Sequence, residues 1–403
     1  MPEFRRKGKS AQSITRDRAQ PCLQHRKPAC AATRIPLSCR SSQIITRRNC
    51  MNFLSDHLYG VDDAVMQAII DANKPLTSPS YGADDWTARC GTLMNDIFDR
   101  KVEMYLVGTG TAANALALST LAQPYNAILS YCDAHIMIDE CGAPEFFTGG
   151  AKIYGINEPR GKITAQGVEA CLATFVRGEH NSKPAVVSVT QSSELGTVYQ
   201  VDEVAAISQV AKSHGLKLHM DGARFANALA ALGCSPAEAT WEAGVDVLSF
   251  GTTKNGTMGV DAIVFFDTEL ARDFEHRRMR AGQLTSKSRF LGAQMEAYLT
   301  NDLWLRNART ANAHAARLHD GLKDLPGIRI PLGAEANQLF PIISSKLDKH
   351  LKDAGALYAR WPGVGPGIDS PGKDELQIRL VSSFKTRPED VDALIAAARA
   401  FKD

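Results

Sequence analysis

From residue 51 onward, short apolar runs alternate with stretches in which apolar residues recur every three to four positions. The second kind predicts amphipathic helices over Asp62–Asn73, Trp86–Phe98, Ala112–Leu121, Val201–Ser213 and Ala223–Leu232. The first kind predicts strands over Met104–Val107, Ala127–Ser130, Ala185–Val189, Lys217–Met220, Val245–Phe250 and Ala262–Phe266. Continuous apolar strands separated by helices imply a mostly parallel sheet with helices on both faces. A single long helix is expected from about Arg289 to Leu325. A strand (Asn337–Ile343), helix (Leu347–Asp353), strand (Gln377–Val381) and helix (Pro388–Phe401) then predict a smaller α/β lobe. The expected division is a basic extension over residues 1–50, a segment at 51–70 associated with the small domain, a large domain at 71–300 and a small domain at 301–403.

Charge changes the picture at one end only. The 403-residue chain has a net charge of +2, yet residues 1–50 hold twelve Lys/Arg against two acids. The remainder is therefore acidic, which argues against nucleic acid as a partner of the body. An organelle transit segment, a basic binding arm and translated upstream sequence before a natural start at Met51 all fit the extension. The last fits best, because the regular pattern begins directly after Met51. No apolar run approaches the ~20 residues that cross a bilayer. Nine cysteines at irregular spacings, without a CxxC pair, suggest reduced thiols in the cytoplasm and no zinc or other metal site.

Chemistry concentrates where predicted strands end, the usual place for ligands in open parallel sheets. Gly108-Thr-Gly-Thr111 opens a helix, so its N–H groups and the helix dipole suit a phosphate, although a plain glycine turn explains it as well. It lacks the spacing of a nucleotide triphosphate loop. Asp221 closes the strand Lys217–Met220 and could be a helix cap, with Arg224 one turn on as its ion-pair partner. Val245-Asp-Val-Leu-Ser-Phe-Gly-Thr-Thr-Lys254 delivers one lysine after small residues. A lysine and an aspartate on separate strand ends match what pyridoxal phosphate needs: an amine for its aldehyde and a carboxylate for its ring nitrogen. His135 could then stack on the ring, or be an ordinary satisfied polar residue.

From Phe53 onward the chain resembles the threonine aldolases, pyridoxal-phosphate enzymes of the aspartate aminotransferase fold (fold type I). The resemblance rests on Leu54-Ser-Asp56, Tyr81-Gly-Ala-Asp84, Gly108-Thr-Gly-Thr-Ala-Ala-Asn114, Ala134-His-Ile-Met-Ile-Asp-Glu140, His219-Met-Asp-Gly-Ala-Arg224, Thr253-Lys-Asn-Gly256 and Ile378-Arg-Leu-Val381, in that order. It implies that Lys254 is the Schiff-base lysine and Asp221 the partner of the pyridine nitrogen. It also places Arg224 near the ring 3-hydroxyl, Gly110 and Thr111 at the phosphate, and His135 on the ring face. Ser55 and Arg379 would bind the substrate carboxylate. Arg278 would reach a phosphate, often across a subunit boundary; a solvated surface charge explains it equally.

One departure from the family stands out. Many members carry a histidine in an Asn-Thr-His-Asn-Gly run, where this chain has Ser192-Ser-Glu-Leu-Gly196, placing Glu194 beside the substrate. The expected reaction is cleavage of an L-β-hydroxy-α-amino acid to glycine and an aldehyde. His135, Glu194 or a water they hold would be the base. Ser192-Ser-Glu194 and His57 favour an aryl side chain such as that of phenylserine. Another fold-type-I enzyme, a β-eliminating lyase or aminotransferase, is the alternative, and a cofactor-free scaffold protein is a third reading. The resemblance further implies a homotetramer with sites at dimer interfaces.

Overall fold

The computed structural model describes residues 50–363 and 368–402. The expected basic extension, Cys50 apart, lies outside the described residues. The chain enters through a two-residue strand, β1 (Met51–Asn52). Seven strands then build the main sheet: β2 (Glu103–Val107), β3 (Asn126–Tyr131), β4 (Lys152–Ile156), β5 (Lys183–Thr190), β6 (Lys217–Gly222), β7 (Val247–Phe250) and β8 (Asp261–Phe265). Their order is β2-β8-β7-β6-β5-β3-β4. All neighbours are parallel except around β8, which runs antiparallel to both β2 and β7. Every residue of β3, β7 and β8 is buried, as expected where helices cover both faces.

Helices start where the sequence supplies a cap. Asp62, Asp84 and Thr109 accept backbone N–H bonds at the heads of Asp63–Ala72, Asp85–Ile97 and Gly110–Leu121, each satisfying a donor that the first turn leaves open. The small unit is an antiparallel sheet of β9 (Ile328–Arg329), β10 (Gln338–Leu339), β11 (Ile342–Ser344), β13 (Ala359–Trp361) and β14 (Glu375–Val381). β12 (Ala356–Leu357) pairs in parallel with β1 instead. Met51 and Phe53 share a core cluster with Leu318, Leu380 and Leu394.

Two expectations need correction, and one strand is added. The long helix is two, Arg289–Leu299 and Leu303–Leu322. Asn301 and Asp302 between them adopt φ of 54° and 59°. Hydrophobic spacing continues across that point, but Asn and Asp tolerate the left-handed conformation that ends a helix. The expected strand Asn337–Ile343 is likewise broken into β10 and β11 around Pro341, which has no N–H to give a ladder. Strand β4 was not anticipated, because Lys152-Ile-Tyr-Gly-Ile156 mixes polar and glycine positions at the sheet edge.

Candidate active site

The C-terminal ends of β3, β5, β6 and β7 face one cavity of about 290 Å³. Its wall includes Gly110, Thr111, His135, Glu194, Asp221, Arg224 and Lys254. Seven of the expected residues, from five separate stretches, therefore meet in one place.

The sheet fixes the two central groups. Asp221 sits opposite Ser249 in the β6–β7 register and opposite Thr190 in β5–β6. One layer below, the buried His219 ring touches Ser188 on β5 at 2.9 Å and Ser249 on β7 at 3.0 Å. Burial depresses that ring to about 4, so it ties three strands together as a neutral group. β7 then runs through Gly251 into a single helical turn, Thr253–Asn255, that carries Lys254. The turn is pinned by Asp261, whose Oδ1 accepts from the Thr252 N–H at 2.7 Å and the Thr253 N–H at 3.2 Å.

The electrostatics around the lysine are mixed. Burial and the Arg224 charge lower the Lys254 amine below its usual range, against the raising effect of Asp56, Asp221 and Asp261. A lysine so placed is more readily a neutral nucleophile. Arg224 does not pair with Asp221, as its spacing allowed. Its Nε and Nη2 instead donate to the two oxygens of Asp56 at 2.8 and 3.0 Å. Burial would raise Asp56, but the Arg224 charge and hydrogen bonds hold it at about 2. Asp221 is left to accept from Ala223 N at 2.9 Å and Asn114 Nδ2 at 2.8 Å.

His135 and Glu194 are coupled. The His135 N–H donates to Glu194 Oε1 at 2.9 Å, and Thr190 Oγ1 donates to the same oxygen at 2.8 Å. Burial pushes the Glu194 carboxyl up to about 7. The His135 ring shifts upward too, through its Nδ1 contact to Glu140 at 2.8 Å.

Three expected residues do not line this cavity. Arg379 packs over the Trp361 ring and donates to the Leu54 carbonyl at 3.3 Å. Ser55 touches His57, which is on the wall, at 2.8 Å. Arg278 lies over the Tyr105 ring and borders a separate small pocket with Tyr81 and Gly82. Sequence reasoning missed Asp56, Asn114, Glu140 and Asp261. The first three stood inside quoted motifs, but nothing in a motif says which residue its polar atom will face.

The residues present fit pyridoxal phosphate. The helix Gly110–Leu121 opens onto the cavity with first-turn N–H groups that have no intrahelical acceptor, a ready phosphate seat. Glu194 Oε2 and Ser192 Oγ are buried and unpartnered on the wall, which suits a polar guest. A lysine amine and a buried aspartate complete the donor set. Fold and site together define a fold-type-I pyridoxal-phosphate enzyme.

The comparisons narrow this class. Residues 52–344 match the model of the beta-eliminating lyase family. Low specificity L-threonine aldolase of Pseudomonas aeruginosa is 44% identical over 313 residues, 78% of this chain and 90% of that protein. That of a Pseudomonas sp. is 43% identical over 348 residues, 86% and 97% of the two chains. The structure of Leishmania major threonine aldolase superposes with a TM-score of 0.80 at 26% identity, covering 86% of this chain and 98% of that one. Sphingomonas wittichii serine palmitoyltransferase shares the fold, with a TM-score of 0.62 at 17% identity over 87% and 86% of the two chains. The chain belongs to the beta-eliminating lyase family and, within it, to the threonine aldolases.

Proposed function

We propose that the protein cleaves L-β-hydroxy-α-amino acids of threonine, allo-threonine or phenylserine type, releasing glycine and an aldehyde. The observation that carries this reading is the convergence of Lys254, Asp221 and His135 on one cavity in a chain of this family.

Pyridoxal phosphate, when bound, supplies an aldehyde for amine attachment and a ring that accepts the electron pair left at Cα. Lys254 holds the cofactor, helped by the lowered proton affinity of its amine. Asp221 would accept a hydrogen bond from the ring nitrogen and so keep that nitrogen protonated. The N–H groups of Gly110 and Thr111, with the Thr111 hydroxyl, hold the phosphate. Arg224, locked by Asp56, would be the residue that serves the ring hydroxyl, and His135 the one that stacks on the ring. Arg379 and Ser55 bind the substrate carboxylate and so fix the rotation about Cα that selects the bond to break; the buried Nε of Arg379 has no partner of its own. Arg278 serves the phosphate of a neighbouring subunit in a homotetramer.

His135 takes the proton of the β-hydroxyl, a contribution typically worth about 10²–10⁴ in rate. Glu194 is the second reading for this base, favoured by its buried, unpartnered Oε2 and a titration near 7. Among these substrates an aryl side chain is favoured by His57, Ser192 and Glu194 on the cavity wall. A small C-terminal domain joined by the start of the chain is supported by the separate core of Met51, Phe53 and residues from Leu318 onward, although Leu303, Trp304 and Ala308 belong to the main core. A cytoplasmic location is supported by Cys90, Cys132, Cys141, Cys171 and Cys234, none of which forms a disulfide; among the described residues no helix is long and apolar enough to cross a membrane.

The test is to supply threonine, allo-threonine and phenylserine to the cofactor-loaded protein and measure glycine and aldehyde together. Equimolar release is expected, and Lys254→Ala should lose both the release and the visible absorbance of lysine-bound cofactor. Keto-acid formation instead of glycine would replace the aldolase reading with an aminotransferase.

A further inference from the structure

Two buried polar residues on the cavity wall have no part in the scheme above. Asn114 is 2% exposed and Glu140 5%. Asn114 Nδ2 donates to Asp221 Oδ2 and to Glu140 Oε1, both at 2.8 Å. The same Glu140 oxygen meets His135 Nδ1 at 2.8 Å. A continuous chain, Asp221–Asn114–Glu140–His135, thus joins a carboxylate and an imidazole on the cavity wall.

We propose that Glu140, held in place by Asn114, is a positioning residue that fixes the His135 tautomer and strengthens it as a base. The inference rests on the role given to His135 above. Glu140 Oε1 already accepts from Asn114, so an imidazole proton is directed to Nδ1. Nε2 is then the nitrogen left for the cavity. A carboxylate beside Nδ1 favours the imidazolium that forms when Nε2 takes a proton, the logic of a histidine backed by a buried acid. Asp221 on β6 adds to this effect, and Lys254 on its turn opposes it. Glu194, from the segment after β5, contacts only the backbone N–H of His135.

A purely structural role explains the cluster poorly. Asn114 Oδ1 and Glu140 Oε2 are buried with no partner, and burial raises the Glu140 carboxyl. Unmatched buried polar atoms are costly, and an apolar pair of similar volume would pack the same space more stably.

Glu140→Gln keeps the shape and an acceptor for Nδ1–H but removes the charge. In the cofactor-loaded full chain, ¹⁵N imidazole spectra should show His135 still protonated at Nδ1 but titrating at lower pH than in the wild type. The acid limb of the cleavage rate should move down in pH with it. kcat should fall about 10- to 100-fold, within the range of general-base effects, with KM within a few fold. Glu140→Asp, which keeps the charge, should restore the titration and part of kcat. His135 titrating at its wild-type pH in Glu140→Gln, or kcat within twofold of wild type, would overturn the proposal. The spectra need no turnover. A shifted His135 in a protein that cleaves no β-hydroxy amino acid would uphold the positioning role and sink the aldolase reading instead.

Discussion

Glu194 shows how a single residue can tie stability to pH. Its carboxyl titrates near 7 in the folded chain because of burial, against the ordinary 4.5. A raised acid favours the folded state only while protonated. The stability it contributes is complete below pH 4.5 and is lost as pH rises through 7. The shift corresponds to roughly 3 kcal/mol. Glu194→Gln, which cannot ionise, should therefore melt close to the wild type at pH 4.5 and above it at pH 8, both without cofactor. Equal melting differences at the two pH values would mean that Glu194 is solvated in the fold. The Ser192-Ser-Glu194 run made this residue visible as a departure. The fact that Thr190 and the His135 backbone hold one of its oxygens while the other is left bare came only with the packing.

At the scale of elements, the end of β7 decides where Lys254 goes. A Cβ on Gly251 would lie 2.6 Å from Ala223 Cα and 2.8 Å from its carbonyl oxygen, so the strand end can approach β6 only without a side chain. Gly251→Ala must push the lysine turn away from Asp221. Overpacking of this kind costs about 1–3 kcal/mol, but the larger effect should be on the cofactor: its dissociation constant should rise at least tenfold, read by titrating pyridoxal phosphate into cofactor-free protein. An unchanged dissociation constant would show that the turn can move without consequence. The main strands and the helix Val201–Ser213 were legible because their apolar spacing is uninterrupted. The kink at Asn301 and Asp302, and edge strand β4, were not, since one turns on backbone conformation and in the other Lys152 and Gly155 interrupt the apolar residues.

Across the whole molecule, Asp56 is the junction. It takes both guanidinium bonds of Arg224, from the end of β6, and a bond at 3.0 Å from Asn337 in the small unit. Segments more than 100 residues apart are thereby locked around one 3%-exposed carboxylate. Arg224→Met would leave that charge buried without its cation, a loss of about 3–5 kcal/mol. Chemical denaturation should show it, and adding Asp56→Asn to Arg224→Met should recover much of the deficit. A double variant as unstable as the sum of the two singles would mean that the pair acts independently.

The sequence alone determined the alternation of strands and helices, the positions of Lys254, Asp221 and His135 at strand ends, and the family. These are local patterns: period, cap, and residue type after an apolar run. It could not determine which polar atoms meet. Arg224 had Asp221 three positions away and chose Asp56, 168 positions away, because β6 aims the two side chains differently. Ser55 meets His57 and Arg379 the Leu54 carbonyl, and Glu140 acquires a meaning only because Asn114 and His135 converge on one of its oxygens. Those pairings depend on sheet order and register, which tertiary packing sets and no short stretch of sequence contains.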